Sequence, residues 1–149
     1  MTGAGVAAAV LLTATVFGLW RRRRDGRLRK GREGRGDVPD GERLTAAELG
    51  AELGARATLV QFSTAFCAPC RAARRILGEV AAMVDGVVHI EIDAASRLDL
   101  ARRAGVVRTP TVLVLDADGR VVRRAAGAPR KPDVIAALGE AIDRAAGDP

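Results

Sequence analysis

The chain has 149 residues, of which 48% are hydrophobic and 28% charged, so it has room for one ordinary domain and a short extension. Its two cysteines are too few for a disulfide-rich mini-protein. Together with the single histidine, they also fall short of the four ligands of a self-contained structural zinc site. Aromatic residues make up only 3%, which argues against the stacking surfaces of single-strand nucleic-acid binders.

The net charge of +6 comes from one segment. Residues 21–35 contain nine of the 24 basic residues and two of the 18 acidic ones, which leaves 15 basic and 16 acidic residues for 36–149. A local basic segment beside a nearly neutral remainder does not form a nucleic-acid-binding surface. We therefore predict no nucleic-acid partner.

The chain opens with an apolar run at 3–20 that contains no charged residue and is followed at once by Arg21–Arg24. As a helix this run is about 27 Å long, near the short end of a membrane span. A cleaved signal peptide would carry Lys or Arg before the run and a small-residue cleavage site after it. The sequence therefore predicts a transmembrane anchor at 3–20, with a cleaved signal or a buried core helix as alternatives.

The positions of the arginines also predict an orientation. Basic residues that flank a membrane helix stay on the cytoplasmic side, so Arg21–Arg24 place the N-terminus outside and the following domain in the cytoplasm. An extracytoplasmic domain is the alternative. Residues 21–43 contain few apolar side chains and are predicted to be a basic flank and flexible linker.

A domain is predicted at 44–146. A capping-box pattern at Thr45–Glu48 predicts a short helix that ends at Gly54. The further elements predicted in chain order are a strand at Thr58–Ser63, a helix after Cys70 through about Met83, a strand at Val87–Asp93, a helix at 96–104, strands at Thr111–Leu115 and Arg120–Ala125 joined by a hairpin turn, and a helix at Pro132–Ala145. This order predicts an α/β fold with a central mixed sheet covered on both faces.

Apolar residues at helical spacing predict which helix faces enter the core. In the helix after Cys70 they are Ala73, Ile76, Leu77, Val80 and Met83. In the last helix the residues expected to face inward are Val134, Ile135, Leu138 and Ile142.

The candidate chemistry lies in the motif Cys67-Ala-Pro-Cys70, which follows a predicted strand and begins a helix. A helix N-terminus stabilises a thiolate on the first cysteine, and the three-residue offset brings the second within reach of a mixed disulfide. Arg71 and Arg74 are expected to add positive potential. This context is typical of a redox-active dithiol.

Three other interpretations of the two cysteines are open. A structural disulfide across so short a loop would stabilise the fold only weakly, because it closes little chain entropy. The cysteines could also share a zinc ion with a partner chain, or remain as two inert thiols in the core.

The segments TLVQFSTAFCAPC, VVHIEID, GVVRTPTVLVLDADG and VRRAAGA make residues 57–142 resemble the thioredoxin family. The resemblance implies a thioredoxin fold in which Cys67 is the attacking thiol and Cys70 the resolving thiol. It also implies that Pro110 is a cis-proline against the cysteines and that Gly127 borders the substrate groove. The substrate-binding residues expected from it are Phe66, Ala68, Pro69, Thr109, Pro110 and Gly127.

The sequence departs from the family pattern at several site positions. Phe66 replaces the usual tryptophan, and Ala68-Pro69 replaces Gly-Pro. Gln61 stands in place of the buried aspartate that the family uses to deprotonate the resolving cysteine, and an amide cannot take a proton at neutral pH. His89 replaces that aspartate's lysine partner and could titrate near neutrality, although a strand histidine with one solvated edge is the simpler interpretation.

The resulting functional prediction is a membrane-tethered thiol–disulfide oxidoreductase that reduces protein disulfides through Cys67 and Cys70. Its expected partners are disulfide-containing proteins and an unidentified reductase. No metal and no organic cofactor is expected. Two alternatives remain: an extracytoplasmic exchange protein for exported or haem proteins, and a thioredoxin-fold binding module without turnover.

Overall fold

A computed structural model describes residues 2–24, 27–28 and 42–146. Within these ranges the elements are α1 (Thr2–Arg24), α2 (Ala46–Leu49), β1 (Ala57–Ser63), α3 (Ala68–Met83), β2 (Val87–Asp93), α4 (Leu98–Arg103), β3 (Thr111–Asp116), β4 (Val121–Ala126) and α5 (Lys131–Ala146). The predicted order of helices and strands in the domain is confirmed.

The four strands form one sheet in the order β2-β1-β3-β4. Strand β1 pairs in parallel with β2 and antiparallel with β3, while β4 pairs antiparallel with β3. The parallel pair is joined by α3, as a parallel connection requires, and the antiparallel pair β3–β4 is joined by a tight turn. The predicted mixed sheet is therefore confirmed.

Helices pack on both faces of this sheet. On one face, Leu77 of α3 and Leu138 of α5 belong to a cluster with Leu59 and Val112 of the central strands. On the other face, the strands pack against the two short helices α2 and α4, with Leu49 and Leu100 as contributors. The alternating side chains of a strand supply both clusters, which explains why every residue of β1 is buried.

The first helix of the domain begins as predicted but ends earlier. The Thr45 side chain accepts a hydrogen bond from the backbone N–H of Glu48, and the Glu48 carboxylate accepts one from the backbone N–H of Thr45. The helix ends at Leu49, and Gly50 follows it with a φ of 73°. The predicted end at Gly54 is wrong because Gly50 already supplies the left-handed residue that terminates a helix.

The inward face of α5 is narrower than predicted. Val134 and Leu138 are 0% and 2% exposed, whereas Ile135 is 46% exposed. Residues 134 and 138 are one turn apart on the same stripe, and residue 135 lies about 100° around the helix from residue 134. The prediction that Ile135 faces inward is therefore wrong.

Helix α1 covers the whole apolar run at 3–20, and its described side chains, such as Leu12 and Phe17, are exposed. Among the residues that the structure describes, no helix is both long enough and apolar enough to cross a membrane. The predicted transmembrane helix at 3–20 is thus not supported. The predicted linker at 21–43 lies mostly outside the described residues, although Leu28 packs against the cluster under α3 and α5.

We expect the substitutions Leu138→Ala and Ile135→Ala to differ strongly in their effect on stability. Leu138→Ala leaves a cavity in the core and should lower the free energy of unfolding by about 2–5 kcal/mol. Ile135→Ala removes a largely exposed side chain from the same helix and should change it by less than about 0.5 kcal/mol. Urea unfolding of the two oxidised variants measures the difference, and equal losses would contradict the described orientation of α5.

Candidate active site

The two cysteines lie where β1 ends and α3 begins. Their sulfur atoms are bonded to each other at 2.08 Å. Cys67 is partly exposed, whereas Cys70 is only 2% exposed. A substrate can therefore reach the first sulfur atom more readily than the second.

Cys67 is the N-cap residue of α3. Its Sγ accepts a hydrogen bond from the backbone N–H of Cys70 at 3.2 Å. Pro69 occupies the first turn, where its missing N–H removes no hydrogen bond of the helix. The remaining N–H groups and the helix dipole favour negative charge at this position, so the local fold stabilises a thiolate on Cys67.

Phe66 precedes this cap in an unusual conformation. Its φ is 60°, in the left-handed region that bulky residues seldom adopt, and its side chain is fully exposed. An aromatic ring held in solvent next to the exposed sulfur offers an apolar contact to an incoming chain.

A second loop lies beside the end of β1 that leads to the cysteines. The peptide bond Thr109–Pro110 is cis, as the resemblance implied. The hydroxyl groups of Thr64 and Thr109 are 2.9 Å apart, which ties this loop to the end of β1. The backbone N–H of Gly127 donates to the Pro110 carbonyl oxygen at 2.7 Å. Thr109, Pro110 and Gly127 are thus brought together.

An open cleft of about 1050 Å³ connects this loop with α3. Of the predicted substrate-binding residues, Pro69, Thr109, Pro110 and Gly127 line it. Phe66 and Ala68 do not line it and are exposed beside Cys67. The lining residues that the sequence analysis did not single out are Leu19, Arg27, Ala72, Arg108, Ala128 and Arg130.

The family model for thioredoxin matches residues 42–140. The chain belongs to the thioredoxin family. No curated protein sequence matches it significantly. Together with the bonded pair Cys67–Cys70, membership supports thiol–disulfide exchange as its chemistry.

Solved thioredoxins have the same fold. Spinach chloroplast thioredoxin f, in its short form, is 24% identical with a TM-score of 0.52; the match covers 59% of this chain and 78% of that one. A mutant thioredoxin of Halobacterium salinarum is 23% identical with a TM-score of 0.53, covering 58% and 75%. Reduced thioredoxin of Schistosoma mansoni is 21% identical with a TM-score of 0.52, covering 58% and 80%.

The thioredoxin position usually held by a buried aspartate is occupied here by Gln61, which is 0% exposed. Its Nε2 lies 2.9 Å from the Cys70 carbonyl oxygen, 2.7 Å from Ser63 Oγ and 3.4 Å from Glu91 Oε1. All three neighbours can accept a hydrogen bond. The surroundings therefore suit a hydrogen-bond donor at position 61. The amide of Gln61 supplies N–H donors, which an ionised carboxylate lacks.

Glu91 is held by an arginine of α3. Its carboxylate accepts two hydrogen bonds from the Arg74 guanidinium, at 2.5 and 2.7 Å. Chiefly because of this hydrogen bonding, the pKa of Glu91 lies below its ordinary value, although burial acts in the opposite direction. Arg74 was expected to add positive potential beside Cys67, but its charge is compensated by Glu91.

His89 lies beside this ion pair on β2. Its Nε2 is buried and has no hydrogen-bond partner among the described residues. Burial lowers the pKa of His89 below its ordinary value, while the Glu91 carboxylate raises it and Arg74 lowers it further. Burial therefore favours the neutral imidazole. The interpretation of His89 as a strand histidine with one solvated edge stays a prediction, because a buried Nε2 does not decide the exposure of the other ring edge.

We expect His89 to titrate below the ordinary histidine pKa of about 6.5. Since it is the only histidine, its ring protons can be followed directly by NMR. Glu91→Gln should lower the midpoint further and Arg74→Gln should raise it. Because the unfolded chain binds the proton more readily, stability should fall as the pH drops through about 6.5. A midpoint above 6.5 would contradict the described burial.

We also expect Gln61→Asp to be less stable than the matched variant Gln61→Asn. Both side chains have the same shape, but only the aspartate places a buried negative charge among acceptors. At about pH 8 the free energy of unfolding should differ by about 1–3 kcal/mol, and the difference should disappear near pH 4 as the aspartate becomes protonated. Equal stability at both pH values would show that position 61 has no preference for a donor.

Proposed function

We propose that the protein reduces disulfide bonds of other proteins, with Cys67 as the nucleophile and Cys70 as the resolving thiol. The observation that carries this proposal is the unequal exposure of the two sulfur-bearing residues at the N-terminus of α3. The cleft formed by Thr109, Pro110 and Gly127 beside them supports binding of an extended segment. A binding module without turnover would have no need of an exposed, stabilised thiolate.

In the first step the Cys67 thiolate attacks one sulfur atom of the substrate disulfide. The substrate S–S bond breaks, a Cys67–substrate disulfide forms, and the other substrate sulfur leaves as a thiolate that takes up a proton. The backbone N–H of Cys70 and the helix dipole stabilise the attacking charge.

In the second step Cys70 attacks Sγ of Cys67. The mixed disulfide breaks, the Cys67–Cys70 bond forms, and the proton lost by Cys70 ends on the departing substrate thiol. Gln61 cannot accept this proton, so its role is to hold the Cys70 carbonyl oxygen through Nε2. Two electrons have then passed from the cysteine pair to the substrate.

The cycle closes when another dithiol reduces the Cys67–Cys70 disulfide. We therefore propose a reductase as the second partner, supplying two electrons for each turnover. The steps at Cys67 and Cys70 use neither a metal nor an organic cofactor. We propose a cytoplasmic location for the domain, since a reducing compartment would favour this direction of exchange.

The two cysteines can be distinguished by single substitutions. Cys67→Ser should abolish reduction of insulin disulfides with dithiothreitol as the electron donor, because the attacking thiolate is lost. Cys70→Ser, reduced beforehand and freed of reductant, should instead accumulate a covalent complex with substrate that added dithiothreitol releases, because attack proceeds and resolution does not. Non-reducing gel electrophoresis and turbidity measure the two effects.

Which of the two serine variants loses activity and which traps substrate tests the roles assigned to Cys67 and Cys70. Full activity of Cys67→Ser, or trapping by Cys67→Ser in place of Cys70→Ser, would overturn these roles. Arg43→Gln is the matched control for handling and folding. Arg43 is exposed, and its backbone forms an isolated β-bridge with Arg120 near the other end of the sheet.

A further inference from the structure

The two edges of the sheet differ in how they are protected against pairing with another chain. Strand β4 forms one edge; its register with β3 is irregular at Val114–Leu115, and the N–H of its first residue, Val121, donates to the Glu42 carbonyl oxygen at 3.0 Å. Strand β2 forms the other edge. Its register with β1 is regular throughout, and its sequence VVHIEID contains neither proline nor lysine. Bulges, prolines and lysines are the features that usually prevent an edge from accepting a further strand, so β2 is the less protected edge.

The backbone groups on the outer side of β2 follow from its pairing with β1. Just after the strand, the N–H of Ala94 donates to the Ser63 carbonyl oxygen of β1 at 2.8 Å. Because successive residues of a strand direct their N–H and C=O groups to opposite sides, the even-numbered residues of β2 face β1 and the odd-numbered residues face outward. Among the residues that the structure describes, nothing hydrogen-bonds to the backbone N–H and C=O groups of His89 and Glu91. These groups are available to another strand.

We propose that two copies of the chain associate through β2, with the two strands antiparallel and Ile90 opposite Ile90 of the second copy. His89 then lies opposite Glu91 of the second copy, and Val87 lies opposite its Asp93. The two four-stranded sheets become one sheet of eight strands with a twofold axis at Ile90. This proposal depends on the fold alone and not on the proposed function.

The sequence of β2 is self-complementary in this register. Outward-facing residues must lie opposite each other to exchange hydrogen bonds, so the register can change only in steps of two residues. The centred register pairs all of Val87–Asp93, whereas a shift of two residues in either direction leaves two residues of each strand unpaired. One of these shifts also places Glu91 opposite Glu91, which is unfavourable because like charges directly opposite repel. In the centred register, neither Glu91 nor Asp93 lies opposite a carboxylate.

The apolar face of β2 is also matched in the centred register, but it adds little buried surface. Val88 lies opposite Ile92 of the second copy, so the core clusters to which these side chains belong become neighbours. Ile90 and Ile92 are only 8% and 4% exposed, which leaves little apolar area to bury. Two seven-residue strands bury less than the roughly 1,200 Å² of a stable interface, and we expect a weak dimer with a dissociation constant on the order of 10–100 μM.

The first test measures association and its location together. Sedimentation equilibrium of the full-length protein should show monomer at about 2 μM and mostly dimer at about 200 μM. The oxidised protein is used, because its Cys67–Cys70 bond leaves no thiol for a disulfide between chains. Amide hydrogen exchange measured by NMR should show that the N–H groups of His89, Glu91 and Asp93 become protected only at the high concentration. The N–H groups of the even-numbered residues of β2 should be protected at both concentrations, since they already bond to β1.

The second test uses two substitutions of the same residue with opposite charge. His89→Lys places a cation opposite Glu91 of the second copy and should lower the dissociation constant, whereas His89→Glu places two carboxylates opposite each other and should raise it. A change of about threefold or more is expected in each direction, because the contact occurs twice in the dimer. Both variants lose the imidazole, so a purely structural effect of that loss would move them in the same direction. Arg43→Gln, near the edge formed by β4, is the control and should leave the constant unchanged.

The remaining outcomes would overturn the proposal. Monomer at every concentration would do so, as would equal dissociation constants for His89→Lys and His89→Glu. Association without protection of the three odd-numbered amides would place the contact elsewhere, for example on the exposed apolar side chains of α1. Protection of these amides at both concentrations would show that another segment of the same chain already covers β2.

Discussion

Strand β1 is the element on which the site depends. All seven of its residues are buried, and it is hydrogen-bonded to β2 on one side and β3 on the other. Because both edges are paired and both faces are covered, the strand cannot shift its register without exposing one core cluster. The turn after Ser63 is thereby fixed in place, and with it the start of α3 at Cys67. The packing and pairing of β1 thus determine where the sulfur atom of Cys67 lies.

The same strand carries the main departure from the family pattern. An ionised acid at position 61 would need partners able to donate. Of the neighbours of Gln61, only the Ser63 hydroxyl can donate, whereas the Cys70 carbonyl oxygen and the ionised Glu91 carboxylate accept. The carboxylate in this part of the site lies on the neighbouring strand β2, where Arg74 binds it. Position 61 therefore holds an amide that donates to the Cys70 carbonyl oxygen, and the nearby carboxylate belongs to the ion pair Arg74–Glu91. An amide at position 61 cannot take up a proton at neutral pH, so it cannot serve as the base that the aspartate supplies elsewhere in the family.

The sequence was sufficient to predict the order of elements, the mixed sheet and the cysteine pair, because hydrophobic periodicity and a short motif encode them locally. It did not show the ion pair Arg74–Glu91, whose members are 17 residues apart and meet only when α3 packs on β2. One signal was present: His89 and Glu91 alternate on one face of β2, opposite Leu59 and Gln61 of β1. The cleft arginines Arg108 and Arg130 were missed for the same reason, since tertiary packing alone brings their loops together.

The positive surroundings of Cys67 have opposite effects on rate and driving force. Charge that stabilises the thiolate makes more of the nucleophile available at neutral pH and so speeds attack. It also stabilises the reduced dithiol relative to the Cys67–Cys70 disulfide, which makes the pair a weaker reductant. Arg74 contributes little to either effect because Glu91 compensates its charge. Stabilising the Cys67 thiolate therefore cannot increase both the rate of attack and the driving force for reduction.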